Sequence, residues 1–405
     1  MKKDGLAKKD MKIAWLHSHF LYSVGATRYI FEVSRRLAKK HDLTLFVEKS
    51  SDFWKKKFIK KGIEVKKISS LSSNSPIYWL FFPFFACREL RILKREANKF
   101  DFIISSIFPM NWISLYLGKP TLFLCFEPFS FFYNKELISK LVPLKRIFVK
   151  LLAMLYSRYD FLGTHGTNKL LTLNETRTSL IHKIYGRKPD GITGIAVDSN
   201  FFKPTENKSL QRKYRGQKII LHSTDFTAPK GSHFLIKALP EIVRVVPKTK
   251  LFIISAVENV TEKEHLKDLA KDLEVEKHLE FIGYVEERFL PAHYTLADVT
   301  AFVADPKNTV SSSSLIVLES LACQTPVVCS MGQLEGMVDD KTGYFVDPRD
   351  TKELADKIIK ILSNKKLRQK MGEEGRRSIL GAYSWNKVVR EFEKQIRMVA
   401  VKKNL

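Results

Sequence analysis

Residues 297–350 read ADVTAFVADPKNTVSSSSLIVLESLACQTPVVCSMGQLEGMVDDKTGYFVDPRD. Ala297–Val303 and Pro326–Ser330 are short apolar runs bounded by turn residues, a pattern typical of buried parallel strands. Between them, Leu315–Cys323 has the apolar spacing of a helix, and a third apolar run falls within Thr342–Pro348. The stretch therefore predicts strand, loop, helix, strand, loop and strand, with polar residues concentrated in the loops.

The polar residues of this stretch suggest a ligand for it. Ser311–Ser314 stand where the helix should begin, and side-chain oxygens there satisfy free backbone N–H groups. The positive end of the helix dipole would face whatever lies beside it, and phosphate suits that position. Glu319 follows one to two turns later, where a carboxylate can face a ribose. The pattern is typical of a nucleotide-sugar site.

The order and spacing resemble the donor-binding half of retaining family-4 glycosyltransferases of the GT-B fold. The segments that carry the resemblance are LIVLESLACQTPVV at 315–328, Glu335, TGYFVDP at 342–348, LADKI at 354–358, the strand, glycine loop and helix over 12–40, and Tyr383–Ser384–Trp385. The resemblance implies an α/β fold class with two Rossmann-like, doubly wound parallel-sheet domains facing a cleft.

The chain is long enough for two such domains, and turn residues indicate where they divide. We expect a disordered lead over 1–10 and an acceptor-side domain over 11–186. Residues 187–204 have Pro and Gly at both ends and little periodicity, so they predict a linker. A donor domain is expected over 205–384. By the resemblance, a last helix over 385–405 packs back toward the first domain.

The net charge is +26 and is unevenly distributed. Residues 1–200 contain 35 Lys and Arg against 16 Asp and Glu, whereas the remainder contains 34 against 27. An excess in one half predicts an anionic partner there: membrane lipid, a lipid-phosphate acceptor or nucleic acid. The four cysteines lack zinc-ligand spacing, which favours free thiols in a reducing, cytoplasmic compartment. The charged start predicts no signal peptide.

Two aromatic segments bear on membrane attachment, because no run reaches the roughly 20 apolar residues that a span needs. Ile77–Cys87 reads IYWLFFPFFAC and precedes a basic stretch, and Phe123–Tyr133 is also rich in Phe. Either segment could be buried core. Alternatively, aromatic side chains beside cations form an interfacial patch for anionic headgroups, which would make the protein peripheral at the membrane.

By the resemblance, Lys230 contacts the donor diphosphate and Glu319 the ribose, and these two are the candidate catalytic residues. Gly25, after the first strand, would let the backbone approach phosphate. Glu127 matches an acceptor-side position. The remaining candidates for donor binding supply hydroxyl or backbone N–H donors at the helix start: Ser311, Ser312, Ser313, Ser314 and Leu315. The resemblance implies a nucleotide-sugar co-substrate and neither a bound metal nor another cofactor.

The sequence departs from the family pattern at several positions. The family's acid that precedes Glu319 with seven residues in between is Ser311 here, its donor-loop arginine is Asp225, and its histidine beside the sugar is Phe126. The donor-loop glycine falls at Thr224, and the Pro-Gly near the linker at Ile195–Ala196. His222 or His165 is available to replace the missing histidine.

These observations favour a retaining glycosyltransferase that moves a sugar from a nucleotide-diphosphate donor to a membrane-associated or glycan acceptor. The departures leave open a non-catalytic GT-B protein that binds glycan, nucleotide sugar or a partner transferase. A sugar-nucleotide epimerase also shares the fold class. A nucleic-acid binder rests on charge alone, because no zinc finger or helix-turn-helix pattern is present.

Overall fold

The computed structural model describes the following residues: 10–21, 25–139, 141–224, 226, 230–255, 259–305, 315–330 and 334–401. The chain divides into two compact units. One comprises Met1–Gly194 with Asn386–Leu405, and the other comprises Ile195–Trp385. Ser311–Ser314 and Asp225 lie outside the described residues, so the roles predicted for them stay predictions.

The first unit is built on a seven-stranded parallel sheet with the order β3-β2-β1-β4-β5-β6-β7. Its strands are β1 Lys12–Phe20, β2 Asp42–Ser50, β3 Glu64–Lys67, β4 Phe102–Ser105, β5 Thr121–Leu124, β6 Lys169–Thr172 and β7 Gly191–Ile192. Its helices are α1 Gly25–Leu37, α2 Asp52–Ile59, α3 Pro76–Leu80, α4 Phe82–Ala97, α5 Met110–Ser114, α6 Ser130–Tyr133, α7 Lys135–Ser139, α8 Pro143–Gly166 and α9 Glu175–Tyr185. Strand β7 lies within residues 187–204, the range predicted as a linker.

The second unit is built on a six-stranded parallel sheet with the order β10-β9-β8-β11-β12-β13. Its strands are β8 Lys218–Thr224, β9 Thr249–Ser255, β10 Leu279–Gly283, β11 Val299–Phe302, β12 Val327–Ser330 and β13 Gly343–Val346. Its helices are α10 Lys208–Lys213, α11 Ser232–Val245, α12 Val260–Asp272, α13 Leu290–Leu296, α14 Leu315–Ala322, α15 Thr351–Ser363 and α16 Lys365–Ile379. The two parallel sheets confirm the predicted α/β class with two Rossmann-like, doubly wound domains.

The last helix, α17, spans Trp385–Val401, and its residues from Asn386 onward belong to the first unit. Phe392 of α17 is fully buried, and its ring centroid lies 5.9 Å from that of Trp15 on β1. The helix thus covers one face of the first sheet, to which its amphipathic pattern is suited.

The aromatic segment Ile77–Cys87 divides between core and surface. Tyr78, Trp79 and Phe82 are buried in the main apolar cluster of the first unit. Four neighbouring side chains, each more than half exposed, point outward: Ile77, Leu80, Phe81 and Phe84. The buried-core interpretation therefore holds for part of the segment, and the interfacial patch stays a prediction for the exposed part.

A close backbone approach fixes the start of α11. Gly231 has a φ of +74°, in the left-handed region, and a Cβ placed there would lie 2.0 Å from the carbonyl oxygen of Val303. Val303 directly follows β11, so the turn before α11 packs against the end of the neighbouring strand. Only glycine meets both the conformational and the steric requirement.

We expect Gly231→Ala to cost more stability than Gly216→Ala, measured by urea unfolding. Gly216 also has a left-handed φ, of +78°, but a Cβ there would meet nothing within 4 Å. Both variants incur about 1–2 kcal/mol for the backbone conformation, and Gly231→Ala adds about 1–3 kcal/mol for the clash. Equal losses in the two variants would contradict the close approach.

Two buried carboxyl groups lie between β2 and α4 in the first unit. Oε2 of Glu48 accepts hydrogen bonds from the Ser73 backbone N–H at 2.5 Å and the Ser73 hydroxyl at 2.7 Å. Oε2 of Glu89 accepts one from the Tyr78 hydroxyl at 3.0 Å. Burial raises the pKa of both groups above the usual range, and the charge of Glu48 raises the pKa of Glu89 further. The native state therefore holds protons that the unfolded chain releases.

The contribution of these two carboxyl groups to stability should consequently fall as pH rises from about 5 to about 8, since in that window they bind more protons in the native state than in the unfolded state. We expect Glu89→Gln to flatten this dependence. At about pH 8 the variant should be more stable than the wild type by about 1 kcal/mol or more, whereas at about pH 5 the two should be similar. The measurement is urea unfolding at both pH values. Glu175→Gln, an exposed change at the start of α9, is the control and should leave the slope unchanged; a Glu89→Gln loss that is equal at both pH values would contradict the assignment.

Candidate functional site

Each sheet has one point where the strand order reverses. In the first unit it lies between β1 and β4, and in the second between β8 and β11. Helices leave the carboxyl ends of these strands in opposite directions and open a crevice, which is where ligands bind in doubly wound folds. Of the predicted donor-binding residues that the structure describes, Lys230, Leu315 and Glu319 belong to the second unit and Gly25 belongs to the first.

Lys230 lies at the carboxyl edge of the second sheet, between β8 and α11. It is partly buried and immediately precedes Gly231, whose backbone rests on Val303 at the end of β11. The lysine is therefore anchored at the junction of the two strands that flank the reversal point. This position suits a cation that meets phosphate beside a helix start.

The buried side chain of His222 links the elements that meet at this junction. Nδ1 of His222 on β8 lies 2.9 Å from the carbonyl oxygen of Ala301 on β11, and Nε2 lies 3.0 Å from Oγ of Ser232 at the start of α11. Because a carbonyl oxygen only accepts, Nδ1 of His222 carries a proton and donates a hydrogen bond to Ala301. His222 thus ties two strands and a helix together within the second unit.

Glu319 is buried in α14, with only 2% of its surface exposed. Its Oε2 accepts a hydrogen bond of 3.0 Å from the hydroxyl of Tyr294, a buried residue of α13. A solvated surface role is therefore excluded, and the carboxylate is held in one orientation. Tyr294 was not predicted from the sequence, because no local pattern links an acid to a tyrosine 25 residues earlier.

Helix α14 itself is held by α16. A Cβ at Gly372 would lie 2.1 Å from the carbonyl oxygen of Gln324, and one at Gly375 would lie 2.7 Å from Cδ2 of Leu321. These two glycines, three residues apart on one face, allow the two helices to pack closely. Leu315 is the first residue of α14 and is partly buried. The backbone donor predicted at Leu315 therefore lies at the start of a helix that α16 holds in place.

Arg376 of α16 closes the other end of α14. Its Nη1 donates to the carbonyl oxygens of Ala322 and Phe202, and its Nη2 donates to that of Ser199 at 3.3 Å. A cation at the carboxyl end of a helix satisfies free carbonyls and complements the dipole. This residue was also missed, although the double arginine of RRSIL was visible in the sequence.

At the reversal point of the first sheet, Nδ1 of His17 lies 2.9 Å from the carbonyl oxygen of Ser106 and 3.1 Å from its hydroxyl. Burial, followed by the charge of His19, lowers the pKa of His17 to about 3. His17 is therefore a neutral structural donor at physiological pH. His19 follows it toward the edge of the sheet, and burial lowers its pKa as well.

Three further residues singled out in the first unit are Gly25, Glu127 and Phe126. Gly25 begins α1, and a Cβ there would meet nothing within 4 Å, so packing does not require a glycine. Glu127 is exposed and pairs with Nη1 of Arg177 at 3.0 Å. Phe126 packs edge-on against Tyr29, with ring centroids 5.4 Å apart.

The two histidines considered as substitutes for the one replaced by Phe126 do not fill its place. His222 is engaged inside the second unit, and His165 is exposed on α8, stacked on Phe161 with centroids 4.0 Å apart. Among the residues that the structure describes, no three His, Cys, Asp or Glu side chains cluster as metal ligands.

Comparison with known proteins finds a family match within the second unit. Residues 204–378 match the family model described as "Glycosyl transferases group 1". Over 198 residues, 47% of this chain and 51% of the relative, the sequence is 30% identical to the GDP-mannose-dependent alpha-(1-6)-phosphatidylinositol monomannoside mannosyltransferase of Mycolicibacterium smegmatis. The chain thus spans about half the length of the curated relatives it matches.

Solved structures extend the likeness of fold to nearly the whole chain. HepE of Anabaena in complex with UDP-glucose superposes with a TM-score of 0.77 at 13% identity, covering 96% of this chain and 100% of that one. WaaG, a glycosyltransferase involved in lipopolysaccharide biosynthesis, gives a TM-score of 0.73 at 16% identity, covering 96% and 99%. The chain has the GT-B fold, and its residues 204–378 match the group 1 glycosyltransferase family.

Proposed function

We propose that the protein transfers a sugar, with retention of configuration, from a nucleoside-diphosphate sugar to a membrane-associated acceptor such as a lipid-linked glycan. The observation that carries the proposal is the Lys230–Gly231 turn, anchored on Val303 where the strand order of the second sheet reverses. The relatives named as GDP-mannose-dependent mannosyltransferases act on phosphatidylinositol monomannoside, which supports GDP-mannose as the first donor to test.

In the proposed reaction, the bond between the anomeric carbon and the diphosphate oxygen breaks, and the acceptor oxygen bonds to the same face of that carbon. The diphosphate leaves with the electron pair, and its phosphate takes the proton of the acceptor hydroxyl. Lys230 and the start of α14 stabilise the negative charge that develops on the leaving group, a role that fixed cations and helix N-termini perform well. Glu319 would orient the nucleotide ribose. No metal takes part in this scheme.

The acceptor side of the proposal rests on charge and on the relatives. The first 200 residues carry most of the net positive charge, which suits an acceptor presented at an anionic surface. The four cysteines are free thiols, in keeping with the cytoplasmic face of a membrane. Separately, no described helix is long and apolar enough to cross a membrane.

A non-catalytic GT-B protein that binds nucleotide sugar or glycan is the second candidate. Phe126 favours this candidate, because it stands where the family has a histidine and its ring packs against Tyr29. Such a protein would bind the donor without releasing nucleotide.

The test uses the purified chain with GDP-, UDP- and ADP-sugars and lipid extract, scored for nucleotide release and for sugar in the lipid phase. We expect Lys230→Ala to lower kcat about 100-fold or more, since it removes a cation aimed at the leaving group. Lys237→Ala, an exposed lysine on α11, is the matched control and should retain wild-type turnover. Donor binding without nucleotide release from any sugar would instead establish the second candidate.

The same assay tests the stereochemistry and the metal requirement. The product should carry the donor's anomeric configuration, read from proton NMR coupling, and turnover should persist unchanged in excess EDTA. Loss of turnover in EDTA that added Mg²⁺ or Mn²⁺ restores would exclude the metal-independent scheme.

The Tyr294–Glu319 contact gives a separate prediction about donor affinity. Tyr294→Phe removes one hydrogen bond to a buried carboxylate, worth about 1–3 kcal/mol, so we expect KM for the donor to rise several-fold or more. Glu319→Gln should raise the same KM. Tyr284→Phe, at an exposed tyrosine of the second unit, should change nothing. A Tyr294→Phe variant with reduced stability and an unchanged KM would give this pair a purely structural role.

A further inference from the structure

Helix α8 carries an apolar stripe on its outer face. Six large side chains of this helix are between 44% and 83% exposed: Leu144, Ile147, Leu151, Met154, Leu155 and Leu162. Their spacing of three and four residues places them on one side of the helix. Because the helix has 24 residues, the stripe extends over most of a rod about 36 Å long. We call these six residues the α8 stripe.

The opposite face of α8 is locked into the first unit. A Cβ at Gly163 would lie 2.7 Å from the backbone nitrogen of Trp112, so α8 and α5 approach closely. The buried carboxylate of Asp160 accepts hydrogen bonds from Asn111 Nδ2 at 2.8 Å and from the Tyr185 hydroxyl at 2.7 Å. These contacts fix the rotation of the helix, so the stripe faces away from the core of the first unit.

The charges of α8 have one sign on its accessible surface. The helix contains Lys145, Arg146, Lys150 and Arg158, and its single acid, Asp160, is 1% exposed. Arg158 lies within the stripe, with its guanidinium 5.8 Å from the centre of the Tyr159 ring. Long cationic side chains in this setting keep their stems in an apolar layer while their heads reach anionic groups.

A second exposed apolar group lies on the elements that pack against α8. Phe82 of α4 contacts Tyr156 of α8, with ring centroids 4.8 Å apart. Near Phe82 in the sequence, four apolar side chains are exposed: Ile77, Leu80, Phe81 and Phe84. Helix α4 then continues with four exposed cations: Arg88, Arg91, Lys94 and Arg95. Apolar side chains followed by cations thus recur on a neighbouring helix.

We propose that the α8 stripe is the surface by which the protein docks on an anionic lipid bilayer, with α8 lying parallel to the membrane at the boundary of headgroups and acyl chains. An exposed apolar face flanked by lysine and arginine, without exposed acids, is what such a boundary binds. A second copy of the chain fits less well, because two stripes brought together would also bring their cations together. The inference deepens the proposed function by naming the surface that would reach a lipid-borne acceptor.

The test measures sedimentation of the full chain with vesicles, without donor. The vesicles are phosphatidylcholine alone or phosphatidylcholine with about one-third phosphatidylglycerol. We expect binding to the anionic vesicles only, and at least tenfold weaker binding for Ile147→Ser/Leu151→Ser/Met154→Ser. The matched control changes three side chains of similar exposure in the second unit, Val245→Ser/Val260→Ser/Tyr284→Ser, and should bind like the wild type.

A charge series separates the electrostatic part. Lys150→Gln/Arg158→Gln should weaken binding and reduce its salt dependence, whereas Lys365→Gln/Lys366→Gln on α16 should have little effect. Melting temperatures near that of the wild type establish that the variants are folded; since all the changed side chains are exposed, we expect them to be.

Wild-type binding by the stripe variant would overturn the proposal. So would a wild-type oligomer, seen by gel filtration with light scattering, that the stripe variant dissociates while vesicle binding is unaffected; that result would assign the stripe to a protein partner. Lys230→Ala should bind vesicles normally. Sugar transfer by the wild type and by Lys230→Ala therefore tests the proposed function. Vesicle binding tests the docking surface separately.

Discussion

The site in the second unit depends on one contact between two backbones, that of Gly231 against the carbonyl group of Val303. The contact brings the turn before α11 onto the end of β11 at 2.0 Å from where a side chain would begin, which no residue but glycine permits. It sets the position of Lys230 directly and the start of α11 at the next residue. His222 then reaches both partners of the contact, β11 through Ala301 and α11 through Ser232, and holds them from the interior.

A second set of close approaches places the acid. Gly372 and Gly375 let α16 lie against α14, and Tyr294 fixes the carboxylate of Glu319. Lys230 and Glu319 are therefore positioned by separate contacts. The first contact lies at the end of β11, and the second set lies between helices. Rigid supports of this kind are what an electrostatic site needs, because charges must already be in place when the leaving group departs.

Much of the fold follows from local pattern. Apolar runs with turn residues at their ends predict the strands β11, β12 and β13, and their alternation with helices predicts parallel order. Strand β7, by contrast, falls within the residues predicted as a linker. The resemblance identified Lys230 and Glu319 as candidates, and the structure places Lys230 in the turn before α11 and Glu319 within α14. Tyr294, Arg376 and His17 could not be found in this way, because their partners are distant in sequence and the geometry of a close approach leaves no periodic signal.

Helix α8 shows a different limit. Its buried face and its exposed apolar stripe together cover most of the helix surface, so the sequence over 143–166 lacks the polar side by which an amphipathic helix is recognised. The aromatic segment at Ile77–Cys87 gave a stronger signal, and the structure divides it between core and surface. Exposure of an apolar side chain is a property of tertiary packing, and residue type alone does not determine it.

The three carbonyl groups held by Arg376 connect parts of the chain that are far apart in sequence. Ser199 and Phe202 lie just after the point where the chain enters the second unit, and Ala322 ends α14. One planar guanidinium therefore holds both the entering segment and the carboxyl end of α14. A lysine, with one compact ammonium group, lacks the fork needed to hold separate carbonyls in fixed directions. Residues 199–202 and the carboxyl end of α14, the helix that carries Glu319, therefore share one anchor.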